Sequence, residues 1–171
     1  DIGYSGIKTI NYSGPGGSPV YTTSVNFTAG EAAGITTTLK KAETIIITAT
    51  DGKLIGVPSS SLTVNPGHFT KLQILVPGEF AAPGTLSGKT GSPSNQVVGT
   101  AFNVTVNAAD NLFNLVTTAP SDNIDIITSD PSDTEPLDNT LSGGTRAFSI
   151  TPATTGALTV TATDTSLPGG I

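Results

Sequence analysis

Apolar and polar residues alternate along most of this chain. Val25, Phe27 and Ala29 alternate with Asn26 and Thr28, and Leu62 and Val64 flank Thr63. Leu72, Ile74 and Val76 form a third such run, and Phe102, Val104 and Val106 a fourth, spaced by Asn103, Thr105 and Asn107. Ile124 with Ile126, Phe148 with Ile150, and Leu158 with Val160 and Ala162 continue it. A period of two puts every second side chain on one face of a strand. Residues 45–49 are a short apolar run that stops at the turn signal Thr50-Asp51-Gly52, and Pro77-Gly78 stops another strand. The best helical window, 34–43, is broken by Thr36-Thr37-Thr38, a run of branched residues that favours strand. The pattern predicts an all-β chain of short strands.

An internal repeat orders these strands. Thr44-Ile-Ile-Ile-Thr-Ala-Thr-Asp51 matches Ala157-Leu-Thr-Val-Thr-Ala-Thr-Asp164, an offset of 113 residues. A Thr-rich strand precedes each segment, residues 34–39 in one case and 145–150 in the other. Before these stand Phe27-Thr-Ala-Gly30 and Leu141-Ser-Gly-Gly144. That spacing suits a β-sandwich plus its connector and is too long for a solenoid. The first copy continues through Gly56-Val57-Pro58 to a last strand, Ser61-Leu-Thr-Val64, whereas the second stops at residue 171 before any such strand. The second copy has early strands, 69–76 and 102–106, that the first lacks. The expected organisation is therefore two modules. Residues 1–66 are the C-terminal part of one sandwich, and residues 67–171 are a second sandwich lacking its last strand. Asn65-Pro66-Gly67 is a short connector between them. Half a sandwich exposes strand edges. Further sequence, strands from a neighbouring copy, or a pairing of residues 1–21 that the pattern does not reveal would each resolve that.

Composition narrows the class. Charged residues are 12% of the chain, and Thr, Ser, Asn and Gly carry the polarity, so this is not a highly charged disordered sequence. Twenty Gly and 12 Pro without a short period fit many turns. Cysteine is absent, which removes disulfides, Cys-ligated zinc and a thiol nucleophile. No apolar run is long enough for a transmembrane helix, so any export signal or anchor is expected outside this stretch. Residues 1–66 carry four acids and four bases, while residues 67–171 carry nine acids and three bases. The whole net charge of −6 thus lies in the second module, which repels nucleic acid and attracts cations or basic partners.

The repeated Thr-Ala-Thr-Asp strand end resembles bacterial immunoglobulin-like surface repeats of the invasin and intimin type. So do Phe69-Thr-Lys-Leu-Gln-Ile-Leu-Val-Pro-Gly78 and Gly99-Thr-Ala-Phe-Asn-Val-Thr-Val-Asn-Ala-Ala-Asp110. The likeness covers most of 67–166 and the later half of 1–66. It implies tandem immunoglobulin-like β-sandwiches in a large exported protein at the bacterial cell surface, used as a spacer or adhesive stalk. It implies no catalytic residues.

Candidate chemistry is sparse. His68 is the only histidine and lies in the connector, without partners for a triad or a metal site. The acids Asp130, Asp133, Glu135 and Asp138 lie close together in a Pro-containing loop, where they suit either Ca²⁺ or a plain solvated turn. Asp110 with Asn111 and Asn114 presents the same two readings. Tyr4, Tyr12 and Tyr21 gather near Gly14-Pro-Gly-Gly17. They form either an aromatic patch for a glycan or a neighbouring subunit, or ordinary packing. An isopeptide link would need Lys8 or Lys71 beside Asn103 or Asn107. The function expected is non-catalytic: a structural or adhesive module whose partners are neighbouring modules or copies of itself, with strands exchanged between subunits. No cofactor is expected beyond a Ca²⁺ ion at the acid loop. The alternative is a carbohydrate-binding accessory module of a secreted enzyme.

Overall fold

The computed structural model describes residues 3–166; Asp1 and the 167–171 segment discussed above lie outside them. The described residues form antiparallel strands and no helix, so none is long and apolar enough to cross a membrane. The chain divides into two compact units, Asp1–Asn65 and Pro66–Ile171.

The first unit contains β1 (Gly6–Thr9), β2 (Asn11–Ser13), β3 (Val20–Tyr21), β4 (Ser24–Phe27), β5 (Thr37–Thr38), β6 (Glu43–Ile45), β7 (Thr48–Thr50) and β8 (Leu62–Val64). They pair as β1 with β4, β2 with β7, β3 with β5, and β6 with β8. Residues 6–21, for which the hydrophobic pattern shows no pairing, thus supply three strands. The apolar run 45–49 is not one strand. It breaks at Ile46 and Ile47, where the Ile47 N–H turns to the Ser59 hydroxyl at 2.9 Å. Gly14 lies against the Ile46 carbonyl so closely that a Cβ there would clash. The buried apolar residues of this unit are Ile10, Val25 and Ile45.

The second unit contains β9 (Lys71–Leu75), β10 (Glu79–Ala81), β11 (Lys89–Gly91), β12 (Phe102–Ala109), β13 (Asn123–Thr128), β14 (Asn139–Thr140), β15 (Thr145–Ile150) and β16 (Val160–Asp164). One sheet runs β15-β12-β9 and another β14-β13-β16; β10 and β11 make a separate ribbon. Both three-stranded sheets contribute to one core. Val104, Val106 and Ala108 come from β12, Phe148 and Ile150 from β15, Ile124 and Ile126 from β13, and Leu141 follows β14. Each large side chain fully buried there contributes about 1.5–3 kcal/mol. The alternation in 102–106 and 148–150 is realised in β12 and β15, where the apolar positions point inward and their neighbours outward.

In β9 the expected alternation turns Leu72, Ile74 and Val76 toward the core, where they are half-buried. Gln73, on the other face, is buried as well. Gln73 is held from two directions: its Nε2 donates to the Gly88 carbonyl at 2.7 Å, and its Oε1 accepts from Asn107 Nδ2 at 3.2 Å. A buried amide with both ends paired is tolerated where an unpaired one is costly.

Candidate functional site

Aspartates at strand ends are the most consistently placed polar groups. Asp51 follows β7, Asp110 follows β12, Asp130 lies two residues past β13, and Asp164 ends β16. Asp110 accepts from the N–H groups of Leu112, Asn114 and Gly67 and from Asn114 Nδ2, all at 2.8–3.0 Å. Burial alone would raise its pKa, but these donors outweigh burial and hold it below the ordinary value. Asn111 contributes no side chain to this arrangement; its carbonyl accepts from Lys71 Nζ at 3.0 Å.

The four acids named as a cation candidate take separate tasks. Asp130 accepts from the N–H groups of Ser132, Ala153 and Thr154. Asp133 accepts from the Thr128 hydroxyl, Glu135 from the Thr128 N–H, and Asp138 from Asn123 Nδ2. Among the described residues, no group of three or more His, Asp or Glu is arranged to hold a metal ion. Asp125, on β13, lies near two of the acids. Burial first, then the charges of Asp138 and Glu135, raise its pKa.

A different carboxyl pair escapes the sequence pattern. Asp122 and Asp164 are 7% and 1% exposed, and one oxygen of each has no hydrogen-bond partner. Burial, the Asp164 charge and a carboxyl–carboxyl hydrogen bond raise the pKa of Asp122. Forty-two residues separate the two, and only the antiparallel register that sets Ile124 opposite Asp164 brings them together.

Tyr4 and Tyr12 line one cleft, and Tyr21 is joined to them through Tyr12. Tyr12 and Tyr21 stack on each other with ring centroids 4.6 Å apart. Tyr4 meets Phe27 edge-on at 4.9 Å and donates to Asp51 at 2.8 Å. A cleft of about 380 Å³ is lined by Tyr4, Tyr12, Phe27, Ile10, Ile35 and Leu54, among others. The isopeptide pairing is not assembled. Lys71 Nζ lies over the Phe113 ring at 4.1 Å, Lys8 lies over Tyr4 at 5.0 Å, and Asn107 bonds Gln73 and Thr145. His68 is exposed.

The second unit has a larger cleft of about 700 Å³. Val76 and Phe102 line it from the first sheet, Leu158 and Val160 from the other, and Val97 and Val98 from the loop before β12. Ser94, Asn95, Gln96, Thr154 and Thr155 also line it, so its walls mix apolar and polar side chains, none of them titratable.

Comparison with protein-family models, with curated proteins and with solved structures finds no match for this chain.

Proposed function

We propose that this chain is a non-catalytic structural or adhesive module of an exported bacterial surface or fibre protein. Its two units are read as immunoglobulin-like β-sandwich modules of a tandem array that assemble head to tail by strand complementation between subunits. The observation that carries this reading is the internal repeat, taken with a cleft between sheet edges that has no titratable side chain in its walls, where a site with titratable groups would be needed for catalysis. The repeated segment also has parallel pairings. β1 and β2, split by Ile10, pair with β4 and β7, as β13 pairs with β14 and β16. Exposed apolar residues in the first unit, among them Ile7, Ile55 and Val57, add further surface for a neighbour.

The sugar-binding alternative has less support. Tyr12 and Tyr21 stack against each other, which occupies one face of each ring. Light scattering over a concentration series with electron microscopy tests the assembly reading. Rods or filaments are expected. A chain that stays monomeric at every concentration would refute it.

A further inference from the structure

Asp122 stands just before β13, and Asp164 is the last residue of β16. Ile124 lies opposite Asp164 across this antiparallel pair, and the Thr165 N–H donates to the Asn123 carbonyl at 2.9 Å, which carries the pairing one step further. A period of two puts Asp122 on the face of Ile124, and residues opposite each other share a face, so Asp164 lies there too. That face is the buried one. Ile124 is fully buried, and so is Leu141, whose N–H donates to the Asp122 carbonyl at 3.1 Å. The two carboxylates therefore sit on the core side of the sheet, at its end, on a frame of paired backbone.

The surroundings do not answer this charge. Asp164 Oδ1 accepts from the Ser166 N–H at 2.9 Å, but its Oδ2 is buried without a hydrogen-bond partner, and so is Oδ2 of Asp122. The neighbouring hydroxyls are engaged with Asn123: Ser166 Oγ accepts from its N–H, and Thr165 Oγ1 donates to its carbonyl. The ion pairs among the described residues are Lys41–Glu43 and Lys89–Glu79, so no base neutralises either acid. Buried charges without a partner are strongly unfavourable. A proton shared by the two carboxyls leaves one negative charge in place. A divalent cation between them cancels both charges and takes up both bare oxygens. Oxygen ligands alone select hard ions such as Ca²⁺ and Mg²⁺; the chain has no cysteine, and its one histidine is exposed elsewhere.

We infer that Asp122 and Asp164 form a binding site for one hard divalent cation, Ca²⁺ or Mg²⁺. The Oδ2 atoms of the two carboxylates are its protein ligands, and water completes the shell from the side where Asp122 is 7% exposed. The ion ties the start of β13 to the end of β16, so it stabilises the second unit and leaves the first unchanged. The site is distinct from the loop acids Asp133, Glu135 and Asp138, which face water in whole or in part. It does not depend on whether the chain assembles.

The test takes the full chain, strips it with EDTA and titrates it at pH 7 with CaCl₂ or MgCl₂. Isothermal titration calorimetry reads binding, and the melting temperature reads its effect. One ion per chain is expected, with a rise in the melting temperature of the second unit. Asp122→Asn should bind at least about tenfold more weakly. In EDTA the same variant should melt higher than the parent chain, because one of two repelling charges is gone, so weak binding by it does not reflect misfolding. The double variant Glu135→Gln, Asp138→Asn, on the exposed loop, should bind as the parent does. Saturable binding of either ion that is lost in Asp122→Asn supports the site, and the ion bound identifies the occupant. No binding of either ion overturns the inference and leaves a proton as what the pair shares. Binding that survives Asp122→Asn but is lost in the loop variant also overturns it, and puts the ion at the loop.

Discussion

The carboxylates of Asp51, Asp110, Asp130 and Asp164 each accept a backbone N–H from the residue two further along the chain. This Asx-turn geometry stops a strand and satisfies a donor that the ladder no longer reaches. Asp110→Ala would remove the acceptor of four hydrogen bonds, two of them from buried Asn114. It should destabilise the second unit by about 3 kcal/mol in urea titration. Two of the aspartates differ in pH behaviour. The N–H groups of Leu54 and then Lys53, with the Tyr4 hydroxyl, lower the Asp51 pKa from 3.8 to about 2. A depressed folded pKa gives stability that is present above pH 3.8 and lost as pH falls toward about 2. Asp51→Asn should flatten that acid limb for the first unit. Asp122 has the opposite sign. Its folded pKa is raised, so its contribution is complete below 3.8 and lost as pH rises through the folded value. Asp122→Asn removes one of the two buried charges and offers an amide donor toward Asp164. It should raise stability at pH 7 by about 1 kcal/mol and leave it unchanged near pH 3, as read by melting temperature against pH. A variant less stable at pH 7 would show that repulsion between the two carboxylates is not what the substitution relieves. The strand-ending role of Asp51 and Asp110 is readable in Asp51-Gly52 and in Asp110 with its asparagines. The Asp122–Asp164 pair is not, because a residue's sequence neighbours say nothing about what a strand pairing 42 residues away will set beside it.

At the scale of elements, the β10–β11 ribbon is fastened to its surroundings through Gly88. The Gly88 carbonyl accepts from Gln73 Nε2 and from the Ala82 N–H, each at 2.7 Å. Gly88 has φ of +69°, and a Cβ on it would overlap the Phe113 ring. Phe113 itself has φ of +61°, held in the turn that Asp110 fastens. Gly88→Ala should therefore cost about 2 kcal/mol and move Phe113, visible as a change in the ring resonances and in the contact with Lys71. The alternation in 102–106 and 145–150 predicts β12 and β15 because both strands bury one face only. β9 keeps its apolar face on the core and buries Gln73 on the other face as well, because the residue before β11 supplies a polar partner there. The run 45–49 departs because the close approach of Gly14 and the Ser59 hydroxyl interrupt it, and neither is near it in sequence.

At the scale of the whole molecule, the two units differ in how much apolar surface they bury. Among the described residues the first unit has three buried apolar side chains, Ile10, Val25 and Ile45, and the second has ten. Burial scales with stability, so calorimetry should give two transitions, the lower one from the first unit. An all-β chain of short strands follows from the sequence by itself, because apolar residues of period two gather on one face only in a strand. The placement of all the acidic excess in residues 67–171 and the matched segments 44–51 and 157–164 are likewise properties of the sequence. Tertiary structure decided the rest. It paired residues 6–21 into strands, dispersed the loop acids among separate hydrogen bonds, and set Tyr4 edge-on to Phe27 while Tyr12 stacks on Tyr21. It also buried Asp122 and Asp164 together, through the register of β13 on β16. Each of these depends on register between distant strands, and register is set by how whole faces pack, a quantity that no local window of sequence contains.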